Sequence, residues 1–222
     1  MNADEVYRNI RNDRIIVIVR GVDISQILSI ADAVYSAGIR LIEITCNTQG
    51  FEEMIAELSS KMSDKMTIGA GTVITKDLCE KCVKAGAKYI IAPDMNPEII
   101  EYCVQNDIAV IPGAATPTEV LTAARLGAKM IKIFPASSLG ADFILQLRGP
   151  VNDVDFIAVG GVKLNNIKEF IEAGCIGIGI GGSVIKKDLL QRSDWQSITS
   201  IAKGYVKKMD EVLAEQKRKK ND

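Results

Sequence analysis

The sequence predicts an α/β fold: a single (β/α)8 TIM barrel over residues 1–222, with a short N-terminal helix and a C-terminal helix. Apolar runs typical of buried parallel strands recur every 19–26 residues. Each run is followed by a helical pattern, which favours right-handed β-α-β units. Eight such units with no linker favour closure into a barrel, and an open doubly wound sheet remains the alternative.

The elements follow in order along the chain. The predicted strands begin at residues 15, 41, 67, 89, 108, 130, 155 and 176. Helices are expected to begin with caps at Ser25, Thr75, Asn96-Pro97 and Thr116-Pro117. Helix ends are expected at Gly38, Gly86, Gly127 and Gly174. Further helices are expected at residues 3–10, 51–61, within 139–147, at 165–173 and from near 193, and the basic tail 217–222 is expected to be frayed.

The composition excludes several functional classes. A net charge of −1 gives no electrostatic basis for binding nucleic acid or an anionic membrane. No apolar run approaches the ~20 residues that span a bilayer, and the acidic, polar N-terminus predicts no signal peptide. The five scattered cysteines indicate reduced thiols and a cytoplasmic protein.

The chain contains no histidine. This removes Ser-His and Cys-His catalysis, histidine acid–base chemistry and His-ligated zinc. Cys79 and Cys82 form a C-x-x-C within a helical pattern, without a second cysteine pair nearby, so we interpret them as structural. We therefore expect neither a metal nor a cofactor.

One apolar strand contains a lysine, Lys132 in Met130-Ile131-Lys132-Ile133-Phe134-Pro135. A buried lysine is costly unless it is paired or loses its charge. A neutral lysine in a dry pocket is a nucleophile that forms Schiff bases with carbonyl substrates. The alternative for this hexamer alone is a strand-end lysine that points to solvent.

Active sites of such barrels lie at the C-terminal ends of the strands, and the unusual residues of this chain lie there. Side-chain alternation directs Glu43 into the barrel and places Lys132 and Phe134 on one face of the sixth strand. Arg20 and Thr72 follow the first and third strands. We expect these groups to converge; a Lys132–Glu43 ion pair that only fills the core is the alternative.

Two diglycines follow the seventh and eighth strands: Gly160-Gly161 and Gly181-Gly182, the latter continued by Ser183. Glycine lets backbone N–H groups approach a ligand closely. Loops at these two positions commonly bind phosphate in barrels. Together with a buried lysine and carboxylate, they indicate a phosphorylated carbonyl substrate.

These motifs resemble those of the class I pyruvate aldolases that cleave 2-keto-3-deoxy-6-phosphogluconate (KDPG) and 4-hydroxy-2-oxoglutarate (KHG). The resemblance covers nearly the whole chain and rests on Ile42-Glu43-Ile44-Thr45, Gly69-Ala70-Gly71-Thr72-Val73, Ile111-Pro112-Gly113, Ile131-Lys132-Ile133-Phe134-Pro135-Ala136, Gly160-Gly161-Val162 and Gly181-Gly182-Ser183. It implies Lys132 as the Schiff-base lysine and Glu43 as the general acid–base. It also implies phosphate at the two glycine loops, a metal-free mechanism and a homotrimer.

The resemblance further implies substrate contacts at Thr72, Pro112 and Phe134, and at Asn47 after the second strand. One departure concerns that last position. KDPG aldolases usually carry a carboxylate-binding arginine where this chain has Asn47, and a threonine where it has Val159. The 2-dehydro-3-deoxy-6-phosphogalactonate aldolases look closer here, with Asn in this loop and Arg-Gly after strand one. Our hypothesis is that Arg20 binds the substrate carboxylate through its bidentate fork.

The expected reaction is cleavage of KDPG, of KHG, or of both, to pyruvate and an aldehyde: glyceraldehyde 3-phosphate or glyoxylate. Galactonate-phosphate cleavage is the alternative. A more distant alternative is a phosphate-binding barrel isomerase or synthase that uses Glu43 and Lys132 as an acid–base pair without a Schiff base. For imine formation, the pKa of Lys132 must fall from about 10.4 toward roughly 7–8, and we expect desolvation to lower it.

Overall fold

The computed structural model describes residues 1–221, with side chains described to residue 219, and it confirms the barrel. Its parallel strands are β1 (Ile15–Val19), β2 (Leu41–Thr45), β3 (Thr67–Gly71), β4 (Tyr89–Ile91), β5 (Ala109–Ile111), β6 (Gly113–Ala114), β7 (Met130–Ile133), β8 (Asp155–Val159) and β9 (Cys175–Ile180). Their order in the sheet is β5-β4-β3-β2-β1-β9-β8-β7-β6. Every neighbouring pair is parallel, as the β-α-β alternation requires.

The two ends of this sheet are β5 and β6. The sequence predicts one strand over residues 108–111, stopped by Pro112-Gly113, and the structure adds the short strand β6 beyond that stop. Only Pro112 separates β5 from β6, and proline has no N–H with which to continue a ladder. Its carbonyl instead accepts the N–H of Lys132 at 2.9 Å, while Ile111 O accepts the N–H of Ala92 at 3.3 Å. The segment therefore bonds to both neighbours, and the nine strands close into an eight-position barrel.

The helices are α1 (Ala3–Asp13), α2 (Ile27–Ser36), α3 (Phe51–Lys61), α4 (Lys76–Ala85), α5 (Pro97–Gln105), α6 (Pro117–Arg125), α7 (Ala136–Leu139), α8 (Ala141–Arg148), α9 (Ile167–Glu172), α10 (Lys187–Gln191) and α11 (Trp195–Asn221). Side chains of Thr75, Asn96 and Thr116 cap helices as predicted. The four glycines expected at helix ends all have φ between 99° and 111°, a left-handed conformation that favours glycine.

Besides β6, four details differ from the sequence prediction. Asp23, not Ser25, provides the cap before α2: its carboxylate accepts the Ser25 N–H at 2.9 Å and begins a 3-10 turn. Gly140, at φ 82°, divides the helix expected within 139–147 into α7 and α8. The short helix α10 was not expected. The basic tail is helical to residue 221, with Lys219 paired to Glu172 at 2.8 Å; residue 222 lies outside the described residues.

Helix α1 closes the N-terminal end of the barrel. Its apolar residues Val6, Tyr7 and Ile10 pack in the barrel interior, in a cluster distinct from the one between sheet and helices. The Tyr7 hydroxyl donates to Val110 O at 3.1 Å and accepts the Val110 N–H at 2.9 Å. The interior is therefore accessible from the opposite end, where the strands have their C-termini.

The cysteines of the C-x-x-C contact other thiols rather than each other. Cys82 Sγ lies 3.3 Å from Cys46 Sγ, and Cys79 Sγ lies 3.5 Å from Cys103 Sγ. All five cysteines are free. Among the described residues, no group of three or more His, Cys, Asp or Glu side chains could hold a metal ion. In the same part of the chain, no helix has the length and apolar character needed to cross a membrane.

Candidate active site

Lys132 and Glu43 both project into the barrel. Lys132 lies between Met130 and Phe134, both in contact with the interior cluster, and strand side chains alternate, so its amine shares their side. Glu43 shares a face with Leu41, also an interior residue. Their strands lie four places apart in the ring of eight, so the two side chains face each other across the interior. The exposed fraction is 5% for Lys132 and 2% for Glu43.

Burial dominates the electrostatics of Lys132. Desolvation lowers the pKa of its amine, Glu43 opposes this shift, and the charge of Arg20 adds to it. The Phe134 ring lies beside the amine, with its centroid 4.7 Å from Nζ, and helps to exclude water. The predicted cause of the lowered pKa, desolvation, is therefore present in the structure.

Burial also dominates at Glu43, where it raises the pKa of the carboxyl group to about 7, against the opposing charges of Lys132 and Arg20. The carboxyl group lies against the backbone of Gly71, and a Cβ at that position would overlap Glu43 Oε1. A side chain at Gly69 would likewise overlap the ring of Tyr89. The Tyr89 hydroxyl donates to Ile42 O at 2.8 Å, so this ring supports the strand that carries Glu43.

The structure does not contain the core-filling ion pair that the sequence left open. Among the described side chains, the salt bridges do not include one between Lys132 and Glu43. Desolvation shifts both pKa values toward the neutral forms, which is the arrangement needed for a nucleophilic amine and a proton-transferring carboxyl group near neutral pH.

Arg20 and Thr72 meet at the open end of the barrel. Arg20 Nη2 donates to Thr72 Oγ1 at 3.1 Å. Thr72 has φ 57°, which is rare for a β-branched residue and is typical of functional positions. Asn47 is exposed and, within the described residues, makes no side-chain hydrogen bond, so the structure does not join it to this group. Pro112 does join the site, because its carbonyl binds the Lys132 backbone at 2.9 Å.

The two glycine loops follow β8 and β9, as predicted. Gly160 and Gly161 have φ 94° and 73°, and Gly160 packs against the Phe134 ring. A Cβ at Gly182 would meet no atom within 4 Å, so this loop borders open space. The amides of Gly161, Gly182 and Ser183 have no acceptor among the described residues. Gly181 O accepts two amides that order the turn after β9.

Two residues that support the site did not stand out in the sequence. Tyr89 begins β4 and packs into the interior under Gly69, so an aromatic residue opposite a strand glycine could have indicated it. Thr48 lies three residues after Thr45 in the turn beyond β2, and its buried hydroxyl bonds to that of Thr45 at 2.9 Å. Because Thr48 lies in a predicted loop, nothing in the sequence indicated that its side chain is buried.

A desolvated lysine amine that faces a carboxyl group of raised pKa is the arrangement that the Schiff-base, class I aldolases require. The fold supports the same assignment, because the pair lies where barrel enzymes carry their chemistry. The particular family is also established: the chain belongs to the KDPG and KHG aldolase family, whose model matches residues 6–201.

Individual relatives agree with this membership. The 2-dehydro-3-deoxy-6-phosphogalactonate aldolase of Escherichia coli K12 is 33% identical over 192 residues, covering 86% of this chain and 94% of the relative. The 2-dehydro-3-deoxy-phosphogluconate aldolase of Treponema pallidum Nichols is 29% identical over 199 residues, covering 89% and 94%. A crystal structure of KDPG aldolase from Legionella pneumophila, with pyruvate captured as a covalent carbinolamine, has a TM-score of 0.82 at 26% identity, covering 88% of this chain and 95% of that chain.

Proposed function

We propose that this chain cleaves a 2-keto-3-deoxy-6-phosphoaldonate to pyruvate and glyceraldehyde 3-phosphate by way of a Schiff base on Lys132. The observation that carries the proposal is the buried amine, whose pKa desolvation lowers, opposite the carboxyl group of Glu43 in a closed barrel. KDPG is the first substrate that we propose, and KHG, cleaved to pyruvate and glyoxylate, is a further substrate of the same chemistry.

The neutral amine of Lys132 attacks the C2 carbonyl and forms a carbinolamine, which loses water to become an iminium. Glu43, through a water molecule, transfers the protons of this dehydration and then removes the C4 hydroxyl proton. The C3–C4 bond breaks, its electrons enter the iminium as an enamine, and the aldehyde departs. Protonation at C3 and hydrolysis release pyruvate and restore the amine.

We propose that the phosphate group of the substrate binds at Gly161, Gly182 and Ser183. Their amides are available for hydrogen bonds to a ligand, and two of the three residues carry no side chain that would hold a phosphate away from the backbone. Phe134 packs against Gly160, so the phosphate loop and the lysine share one wall of the pocket.

The galactonate phosphate is a second candidate substrate, favoured by a specific contact. Arg20 and Asn47 are both exposed, and of the two only Arg20 makes a side-chain hydrogen bond within the described residues, to Thr72 Oγ1 at 3.1 Å at the open end of the barrel. This supports Arg20 as the residue that binds the substrate carboxylate, with Thr72 beside it. Val159, buried at the end of β8, presents methyl groups where a hydroxyl would offer a hydrogen bond to the substrate.

Borohydride trapping tests the chemistry. Reduction in the presence of pyruvate is expected to add one pyruvate-derived group to Lys132, detected by peptide mass spectrometry. Lys132→Met, which keeps a long unbranched side chain but removes the amine, removes the adduct. An adduct at another lysine, or none in the wild type, refutes the Schiff-base mechanism and favours the isomerase or synthase alternative.

Two substrate assays test the specificity. Pyruvate release from the gluconate phosphate, the galactonate phosphate and KHG, measured side by side, identifies the preferred substrate. Arg20→Ala is expected to raise the KM for pyruvate in the condensation direction by roughly tenfold or more, because a bidentate carboxylate contact is lost. An unchanged KM refutes the role of Arg20.

The proposal includes a cytoplasmic homotrimer. Five free cysteines, four of them in close thiol–thiol contacts, support a reducing compartment. The trimer is supported by the family resemblance. Light scattering coupled to size-exclusion chromatography measures the mass of the assembly, and a monomer or dimer refutes the trimer.

A further inference from the structure

Two buried threonine hydroxyls outside the catalytic pair join the turn after β1 to the end of β2. Thr45 is the last residue of β2, and Thr48 lies in the turn that follows it; both side chains are buried. Their Oγ1 atoms lie 2.9 Å apart. Neither hydroxyl has a part in the reaction proposed above, so their burial calls for a separate explanation.

The direction of each hydrogen bond follows from counting hydrogens, since a hydroxyl has only one to donate. Thr45 Oγ1 donates to Val19 O at 3.3 Å. Thr48 must therefore donate to Thr45, and its oxygen accepts the Gly21 N–H at 3.0 Å. The bonds run in one direction, from the Gly21 amide through both hydroxyls to the Val19 carbonyl. We call this set of bonds the threonine clamp.

The clamp holds the backbone on both sides of Arg20, because Val19 and Gly21 are its two neighbours in the chain. Gly21 has φ 63°, a conformation that costs little for glycine, and the turn directs the chain away from β1 at this point. From this fixed backbone, the Arg20 guanidinium reaches Thr72. Arginine has a long side chain with many rotamers, so a fixed origin limits where its guanidinium can lie.

The clamp also fixes Arg20 relative to the catalytic carboxyl group. Thr45 lies two residues after Glu43 on the same strand, so a single strand end holds both the acid–base and the turn that carries the guanidinium. The Arg20 charge acts on both Glu43 and Lys132, lowering the pKa of each. The guanidinium therefore lies close enough to the catalytic pair for its position to matter to a bound substrate.

We propose that Thr48, acting together with Thr45, is a positioning residue that holds Arg20 where its guanidinium meets the substrate carboxylate. This rests on the proposed function, in which Arg20 binds that carboxylate. Thr48 acts through Arg20 and does not contact the reacting atoms. Its removal therefore weakens substrate binding and leaves the chemical steps on Lys132 largely unchanged.

Three variants test the clamp. Thr48→Val keeps the shape but removes the hydroxyl, and Thr48→Ser keeps the hydroxyl. Thr199→Val is the matched control, because that hydroxyl lies 3.0 Å from both Ala33 O in α2 and Trp195 O in its own helix, far from Arg20. We expect Thr48→Val to raise the KM for pyruvate in condensation by roughly three- to tenfold, with kcat within about twofold. The Thr48→Ser and Thr199→Val variants are expected to retain the wild-type KM.

A double mutant separates positioning from general destabilisation. If Thr48 acts through Arg20, Thr48→Val adds no further increase in KM to a protein that already carries Arg20→Ala. An equal rise in both backgrounds overturns the proposal. So does an equal loss of activity in Thr48→Val and Thr199→Val, which would indicate a purely structural role.

Hydrogen exchange measures the clamp without relying on activity. Exchange at the Gly21 amide is expected to be faster in Thr48→Val and unchanged in Thr48→Ser; unchanged exchange in both overturns the clamp. A wild type that traps no pyruvate refutes the proposed function, and the role of Arg20 falls with it. A wild type that traps pyruvate, with an unaltered KM in Thr48→Val, refutes the positioning role alone.

Discussion

Gly71→Ala provides a sharp test of the site because the missing side chain of Gly71 is what leaves room for the Glu43 carboxyl group. A Cβ at position 71 would overlap Glu43 Oε1 and would lie 2.7 Å from its Cδ. An ordinary contact begins at 3.4 Å, so the carboxyl carbon has to retreat by about 0.7 Å. Glu43 is a flexible side chain, and its displacement costs little stability.

The cost to catalysis is larger, because a misplacement of about 1 Å lowers rates by up to about 100-fold. We expect Gly71→Ala to reduce kcat/KM by roughly 10- to 100-fold, which corresponds to about 1.4–2.7 kcal/mol of transition-state stabilisation. The assay is pyruvate release coupled to lactate dehydrogenase, with thermal unfolding measured in parallel. Gly204→Ala in α11 is the control, because its Cβ meets only ordinary contacts of 3.7 Å or more.

The effects of Gly71→Ala and Glu43→Gln are expected to be non-additive. Glu43→Gln removes the group that Gly71→Ala displaces, so the double mutant should be no less active than Glu43→Gln alone. Full activity of Gly71→Ala would show that the carboxyl group is not held where the structure places it. Activity lost in proportion to unfolding would show that the methyl group acts on the fold instead.

The burial of Glu43, the hydroxyl of Tyr7 and the amine of Lys132 each lead to a further prediction. Burial raises the pKa of Glu43 from its ordinary 4.5 to about 7. The folded state therefore loses stability as pH rises from 4.5 through about 7, because the carboxyl group ionises first in the unfolded chain. Glu43→Gln should raise the free energy of unfolding, measured by urea denaturation, by up to about 3 kcal/mol near pH 8.5 and by little near pH 4. Equal effects at both pH values would contradict burial as the cause. Tyr7→Phe leaves the Val110 amide without its hydroxyl partner and should cost about 1–3 kcal/mol in the same measurement, with kcat/KM unchanged, because α1 lies at the end of the barrel opposite the catalytic opening. Preincubation with EDTA should leave the cleavage rate unchanged, because the iminium of Lys132 supplies the electron sink; a rate that falls and returns with added zinc would contradict this mechanism.

The strand pattern was predictable from local sequence because parallel strands covered on both faces are continuous apolar runs. Six of the eight predicted strand starts coincide with those observed, and the other two differ by one residue. Two errors concern helix boundaries, where neighbouring residues offer alternative ends. Asp23 caps the turn before α2 in place of the predicted Ser25, and Gly140 divides a helix whose apolar spacing continues across it. The short strand β6 beyond Pro112 was not predicted, because it depends on hydrogen bonds to the distant strand β7.

The burial of Lys132 and Glu43 was predictable, because a charged residue within an apolar strand is anomalous in the sequence itself. The supporting roles of Thr48 and Tyr89 were not, because their hydroxyls are ordinary in sequence and acquire meaning only through partners 27 and 47 residues away. The substrate contact that the resemblance implies at Asn47 stays a prediction, because the structure shows only that its side chain is exposed in the turn after β2.

By itself, the sequence determined the period of the barrel, the strands that carry the amine and the carboxyl group, and the glycines after the last two strands. Those features depend on the order of apolar, charged and glycine residues within each short segment, which can be read without knowing the rest of the fold. Only the tertiary structure decided that Lys132 and Glu43 face each other without a salt bridge, and that Arg20 is held on both sides from a neighbouring strand. These are properties of ring closure and burial, and desolvation acts on a charge only after distant parts of the chain have enclosed it.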